Sequence, residues 1–130
     1  IHRLRNAGVR ISIDDFGAGH ASYQTLRVLD VDRVKIDRDF VRRLADDDRD
    51  RVIVASLIKL AHDLGLDVVA EGVENNEVWD ALAALGCDVA QGFGIAEPMA
   101  FPELRGWLSR WNEVLVEELV PSPAAAEPSR

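Results

Sequence analysis

Asp63-Leu64-Gly65-Leu66-Asp67-Val68-Val69-Ala70-Glu71-Gly72 contains the pattern that decides the fold. A helix end runs into a glycine, then into a β-branched apolar run, then into a carboxylate and a second glycine. Glycine just past a helix supplies the left-handed residue that ends it, and a short apolar run after it reads as a buried strand. The same design recurs where Asn6-Ala7-Gly8 leads into Val9-Arg10-Ile11-Ser12-Ile13, and where Ala84-Leu85-Gly86 leads into Cys87-Asp88-Val89-Ala90. A fourth strand, Arg33-Val34-Lys35-Ile36, follows a short helix predicted from Tyr23 to Leu29.

Helices fill the intervals. Ile53, Leu57, Leu60 and Leu64 recur at helical spacing, as do Val78, Leu82 and Leu85. Asp46-Asp47-Asp48 reads as a solvated turn and helix start, where carboxylates suit the dipole. A last helix carries Leu104, Trp107, Trp111, Leu115 and Leu119, with Pro102 in its first turn and the tryptophans as packing residues. The order βαβαβαβα implies a parallel sheet of the α/β class. Four such units make half of a (β/α)8 barrel of the TIM type, or a small open sheet with two unpaired edges. The expected layout is that body over residues 1–118 and a disordered Pro/Ala-rich tail over 119–130.

The totals narrow the function. Among 130 residues, 15 Lys+Arg stand against 23 Asp+Glu, a formal charge of −8. Such a surface repels nucleic-acid polymers, yet accepts a small phosphate ligand if divalent cations mediate the contact. Cys87 is the only cysteine, so no internal disulfide forms, which suits a cytoplasmic setting. No apolar run is long enough to span a bilayer. A chain opening at Ile1 in mid-pattern, with Met99 its only methionine, is expected to be a fragment of a longer reading frame.

What stands at each strand's C-terminal end carries the chemistry. The four ends read Asp14-Asp15-Phe16-Gly17-Ala18-Gly19, Lys35-Ile36-Asp37, Glu71-Gly72-Val73-Glu74 and Gln91-Gly92-Phe93. In parallel α/β barrels this rim is where active sites are assembled. Adjacent carboxylates can grip hard divalent cations, and a lysine can hold an attacking water or neutralise phosphoryl charge. A glutamate can be a metal ligand or general base, and two bridged metals serve in-line phosphodiester displacement. Each element alone also reads as strand-to-loop punctuation; their equivalent positions on successive strands favour a site. His2, His20 and His62 show no metal-ligand spacing, and His62 reads as a solvated helix residue.

At these residues the sequence resembles the EAL-domain family of cyclic di-GMP phosphodiesterases, from about Leu4 to Trp111. Asp14-Asp15-Phe16-Gly17-Ala18-Gly19 is similar to the family's mobile loop, Val31 to Asp37 to its lysine motif, and Ala70-Glu71-Gly72-Val73-Glu74 and Gln91-Gly92-Phe93 through Pro98-Met99 to its last two rim motifs. The resemblance implies Asp14 and Asp15 as ligands of paired Mg²⁺ or Mn²⁺, and Lys35 on the nucleophilic water. It implies Asp37 beside the metal ligands and Glu71 in metal coordination or base catalysis. Glu74, with Gly17 and Gly19, is implied in anchoring the loop, and Gln91 in lining the substrate site. The implied reaction opens cyclic di-GMP to linear pGpG, in a parent with upstream sensory or GGDEF domains.

The Glu-Ala-Leu segment that names the family is not in the sequence, nor are the asparagine and second glutamate that add metal ligands from earlier strands. The chain is therefore expected to be truncated and inactive on its own, or else a non-catalytic remnant that binds a nucleotide or a protein. Its inward apolar side chains, such as those from Val9 to Ile13, are expected to lack a facing layer, so the chain is expected either to form a homodimer completing a barrel-like core or to be marginally folded and aggregation-prone.

Overall fold

The helix–glycine–strand passages fold as their residues dictate. In the computed structural model, which describes residues 1–17 and 23–119, Gly8, Gly65 and Gly86 all lie at φ between +74° and +80°. Nothing lies within 4 Å of a Cβ added at any of them, so left-handed backbone, not crowding, selects glycine there. Gly19 and the tail beyond Leu119 lie outside the described residues.

The elements run α1 (His2–Asn6), β1 (Ser12–Phe16), α2 (Tyr23–Val28), β2 (Arg33–Ile36), α3 (Arg38–Val41), α4 (Asp48–Asp63), β3 (Asp67–Glu71), α5 (Asn76–Ala84), β4 (Val89–Gln91) and α6 (Phe101–Leu119). All four strands pair in parallel, in the order β1-β2-β3-β4. Helices alternate with the strands, which is the arrangement of half a (β/α)8 barrel. The chain divides into two compact units, Ile1–Glu97 and Pro98–Arg130. The first holds the sheet; in the second, Trp107 and Trp111 stack with ring centroids 5.2 Å apart.

Caps fix the helix starts. Asp47 accepts from the backbone N–H groups of Arg49 and Asp50, so the acidic triplet does begin a helix. Asn75 does the same for α5 through Val78. Helix α4 turns a different stripe inward from the one the spacing suggested. Val54, Leu57, Ile58 and Ala61 are buried, while Ile53 and Leu64 are 39% and 52% exposed. Two apolar stripes overlap on this helix, and the one with smaller side chains sits against β2 and β3.

Strand β1 also departs from expectation: it starts at Ser12 and contains Asp14 and Asp15 instead of ending before them. Ile13 pairs with Val34 and Phe16 with Ile36, so three residues advance on β1 against two on β2. That is a β-bulge. It returns both Ile13 and Phe16 to the core, where they are 8% and 3% exposed.

The two sheet faces differ in character. Ile13, Phe16, Val34, Ile36, Val68 and Ala70 belong to the helix-covered core. The register aligns Arg33 with Asp67, Lys35 with Val69 and Glu71 with Gln91 on the opposite face. Arg10 and Arg33 both reach the Asp67 carboxylate, at 3.3 and 3.2 Å. The expected layer of uncovered apolar side chains is thus absent from this face among the described strands: Ile13 points into the core, and the face carries charge, with Val69 and Val89 its apolar members. Charged residues there lower the exposure penalty on which the expected homodimer rested.

At the strands' N-terminal ends one device appears twice. Asp32, just before β2, accepts from the Ile11 N–H at 2.8 Å and from Arg5 of α1 at 3.2 Å. Asp88, just before β4, accepts from the Val68 N–H at 2.8 Å, and its carboxylate lies 2.9 Å from His62 of α4. His62, expected to be solvated, is paired. Each carboxylate ties the start of the preceding strand to a helix.

Candidate metal centre

The bulge in β1 shapes the site. In a regular strand, neighbouring side chains leave on opposite faces. Here Asp15 takes φ +52°, a left-handed conformation that aspartate tolerates better than most residues. Asp14 and Asp15 are both exposed, and together with Glu71 at the end of β3 they offer carboxylate oxygens that all lie within 4.8 Å of one another. Among the described residues this is the one group of three or more acidic, imidazole or thiol side chains so close together.

Lys35 sits between them. Its ammonium is 2.8 Å from Asp14 Oδ1 and forms an ion pair with Glu71 Oε1. Burial works against the Lys35 charge, but the hydrogen bonds to Asp14 and Glu71 and their two charges outweigh it and hold the group above its ordinary 10.5. Lys35 is therefore a cation and a donor at neutral pH, not a base. Three carboxylates against one ammonium leave two negative charges uncompensated. The Asp15 carboxylate has no hydrogen-bond or ion-pair partner among the described residues. An all-oxygen donor set with that residual charge fits a hard divalent cation such as Mg²⁺, Ca²⁺ or Mn²⁺.

The other residues read from the sequence are placed less centrally. Gln91 pairs with Glu71 across β3 and β4, so it shares the rim. Asp37 stands just past β2, but its carboxylate accepts from the Asp39 N–H at 2.7 Å and caps α3, outside the acidic trio. Glu74 forms an ion pair with Arg42, 2.8 Å away. Gly17 follows β1 at φ +104°, where a Cβ would stand 3.0 Å from the Phe40 ring. Arg42, the partner of Glu74, was not singled out from the sequence; a lone arginine after a short helix gives no pattern to read. The bulge did leave a signal, because apolar residues at 13 and 16 break the two-residue period of a strand.

Comparison with known proteins agrees with the fold. The EAL domain family matches residues 1–98. A cyclic di-GMP phosphodiesterase of Pseudomonas aeruginosa is 40% identical over 108 residues, covering 83% of this chain and 18% of that protein. The crystal structure of the EAL domain of Mycobacterium smegmatis DcpA superposes with TM-score 0.79 at 41% identity, over 84% of this chain and 49% of that one. Klebsiella pneumoniae BlrP1, solved with manganese and with calcium and cyclic di-GMP, superposes with TM-score 0.69 at 40% identity, over 75% of this chain and 25% of that one. The chain thus spans under half the length of these relatives. Sequence, strand order and superposition concur: the chain belongs to the EAL domain family.

Proposed function

We propose that this chain provides one wall of a cyclic di-GMP phosphodiesterase site, the wall that holds divalent cations and steers the attacking water. The observation that carries the reading is the acidic trio of Asp14, Asp15 and Glu71 beside a protonated Lys35. The three carboxylates would hold Mg²⁺ or Mn²⁺, which supplies Lewis-acid polarisation of a phosphoryl oxygen. Lys35 remains charged, so its role is to donate: to the oxygen of a water aimed at phosphorus, or to the charge that builds on the phosphoryl oxygens. A proton leaving that water needs a carboxylate acceptor, and Glu71 is the less exposed of the two carboxylates that Lys35 meets. Gln91 lines the substrate, Asp37 braces the segment after Lys35, and Glu74 acts with Gly17 and Gly19 in holding the loop after β1. The product is linear pGpG, formed in the cytoplasm.

Three carboxylates fall short of the roughly six oxygens that such cations take. The 130-residue chain is accordingly expected to bind Mn²⁺ and cyclic di-GMP weakly and not to turn it over. The test is incubation of this chain with cyclic di-GMP and Mn²⁺, with pGpG followed by chromatography and Mn²⁺ binding followed by water-proton relaxation. Weak Mn²⁺ binding that Asp14→Asn and Glu71→Gln both diminish supports the reading. Mn²⁺ binding indifferent to both variants removes its basis, and turnover by the chain alone refutes its incompleteness.

A further inference from the structure

Glu71 meets Asp14 and Asp15 across an intervening strand, since β2 lies between β1 and β3. Neighbouring strands run about 4.8 Å apart, so the backbones of β1 and β3 stand about 10 Å apart. The three carboxylates nevertheless offer oxygens within 4.8 Å of one another. Side chains that lean together over such a gap meet only if the end of β3 is held in place. Its ladder to β2 stops at Ala70, opposite Ile36, and its ladder to β4 stops at Glu71 itself, opposite Gln91.

The residues just after Glu71 are fastened instead by their backbone. Val73, past the end of β3, donates its N–H to Gln91 O at 3.1 Å and accepts from the Gly94 N–H at 2.9 Å, and its side chain is buried. Gly92 and Gly94 make room for it. A Cβ on Gly92 would stand 2.1 Å from Val73 O and 2.3 Å from Val73 N, and one on Gly94 2.6 Å from the Glu74 carbonyl carbon. The obstructing atoms are backbone, so no flexible side chain can swing aside. On the other flank, a Cβ on Gly72 would stand 2.6 Å from Arg38 Cβ at the start of α3. Neither Gly92 nor Gly94 is left-handed. Alanine would suit their backbone and is excluded by space alone, the mark of a close approach between chains.

We infer that Gly92 and Gly94 are positioning residues of the metal centre, an assignment that rests on the metal-binding reading of the acidic trio. They admit the Val73 backbone, which fixes the end of β3 and with it the reach of Glu71 toward Asp14 and Asp15. They touch neither cation nor substrate and act only through Glu71. A carboxylate so held is already ordered when a cation arrives, whereas one free to swing must be ordered at the moment of binding, which weakens affinity.

The test uses the 130-residue chain. Gly92→Ala should lower Mn²⁺ affinity about tenfold, the low end of what loss of a ligand's support costs. Combined with Glu71→Gln it should lower affinity no further than Glu71→Gln does alone, because it acts through that carboxylate. Eu³⁺ is a hard, oxygen-seeking cation whose luminescence lifetimes in H₂O and D₂O report its bound water. It should carry more water in Gly92→Ala than in wild type, and as much as in Glu71→Gln. Gly86→Ala is the control: it strains a left-handed cap where nothing lies within 4 Å. It should lower the melting temperature yet leave Mn²⁺ affinity and Eu³⁺ hydration as in wild type. Where Gly92→Ala does not fold, the wild-type chain gives the answer, because binding and the fastening of Val73 are linked reciprocally. Saturating Ca²⁺ should slow amide exchange at Val73 and Gly94 more than at Cys87, whose N–H bonds Leu82 O before β4. Wild-type affinity in Gly92→Ala, a loss that adds in full to Glu71→Gln, an equal loss in Gly86→Ala, or equal slowing at the three amides overturns the positioning role while the metal site stands. Mn²⁺ binding indifferent to Glu71→Gln overturns the metal reading and this inference with it.

Discussion

The two ends of one four-stranded sheet both carry aspartates, and they use them in opposite ways. At the N-terminal end, Asp32 and Asp88 are spent on structure: each accepts a backbone N–H of the preceding strand and meets a basic side chain from a helix. At the C-terminal rim, Asp14, Asp15 and Glu71 converge within 4.8 Å with Lys35 as their one cationic partner among the described residues. A carboxylate whose lone pairs are filled by fixed donors stabilises the fold. Carboxylates crowded together with donors too few to fill them have affinity left over for a cation. The contrast follows the division of parallel barrels into a stabilising end and a functional end, and here the hydrogen bonds show why.

The largest effect that sharpens this contrast is expected at Asp32. Asp32→Ala removes the acceptor of the Ile11 N–H and a partner of Arg5, which should lower the unfolding free energy by about 2 kcal/mol while leaving Mn²⁺ affinity unchanged. Urea unfolding read beside a Mn²⁺ titration checks both halves, and a loss of Mn²⁺ affinity would break the distinction between the two ends.

Asp14→Asn should do the reverse. Mn²⁺ affinity should fall about tenfold, roughly 1.4 kcal/mol, with stability in metal-free buffer unchanged or raised, because one of three crowded charges is gone. A substantially destabilised Asp14→Asn would mean that the rim aspartates are as structural as those below.

Lys35→Met comes next. Without the ammonium the three carboxylates repel one another, and the chain should lose about 1 kcal/mol in metal-free buffer, part of the pairing being screened by solvent. Added Mn²⁺ should restore most of that loss, since a cation takes over the same charge; thermal melts with and without Mn²⁺ decide it. A deficit that Mn²⁺ leaves untouched would show Lys35 to act through packing.

The smallest effect lies in the pH dependence of the Asp88 clamp. Burial pushes its carboxyl up, but the hydrogen bond from His62, the Val68 N–H and the imidazole charge outweigh it and hold the group below its ordinary 3.8. A depressed carboxyl contributes stability that is present above the ordinary value and lost as pH falls through the folded one. The difference in melting temperature between wild type and Asp88→Asn should therefore be at full size near pH 5 and close below about pH 4. A difference that persists undiminished at pH 2 would contradict the pairing.

Much of this was legible along the chain, for local reasons. A glycine after a helix and a run such as Val68-Val69-Ala70 depend on backbone sterics and burial within a few residues. They gave the four parallel strands and the three left-handed caps before any contact was known. The polar strand ends likewise named Asp14, Asp15, Lys35, Glu71 and Gln91, because residues in the C-terminal part of a strand stand toward the rim whatever their neighbours are.

Only the tertiary structure decided how those groups meet. The bulge at Asp14 and Asp15 turns two adjacent carboxylates to one use, because Ile13 and Phe16 must both reach a core that lies across the chain from them. The inward stripe of α4 was chosen by the space over β2 and β3, not by hydrophobicity, of which the helix has a surplus. Asp32 and Asp88 look like Asp14 in the sequence, and each is tied by an N–H from 20 or 21 residues away. Local sterics write the elements into the sequence, but whether a carboxylate is satisfied or left over depends on donors that folding alone brings to it.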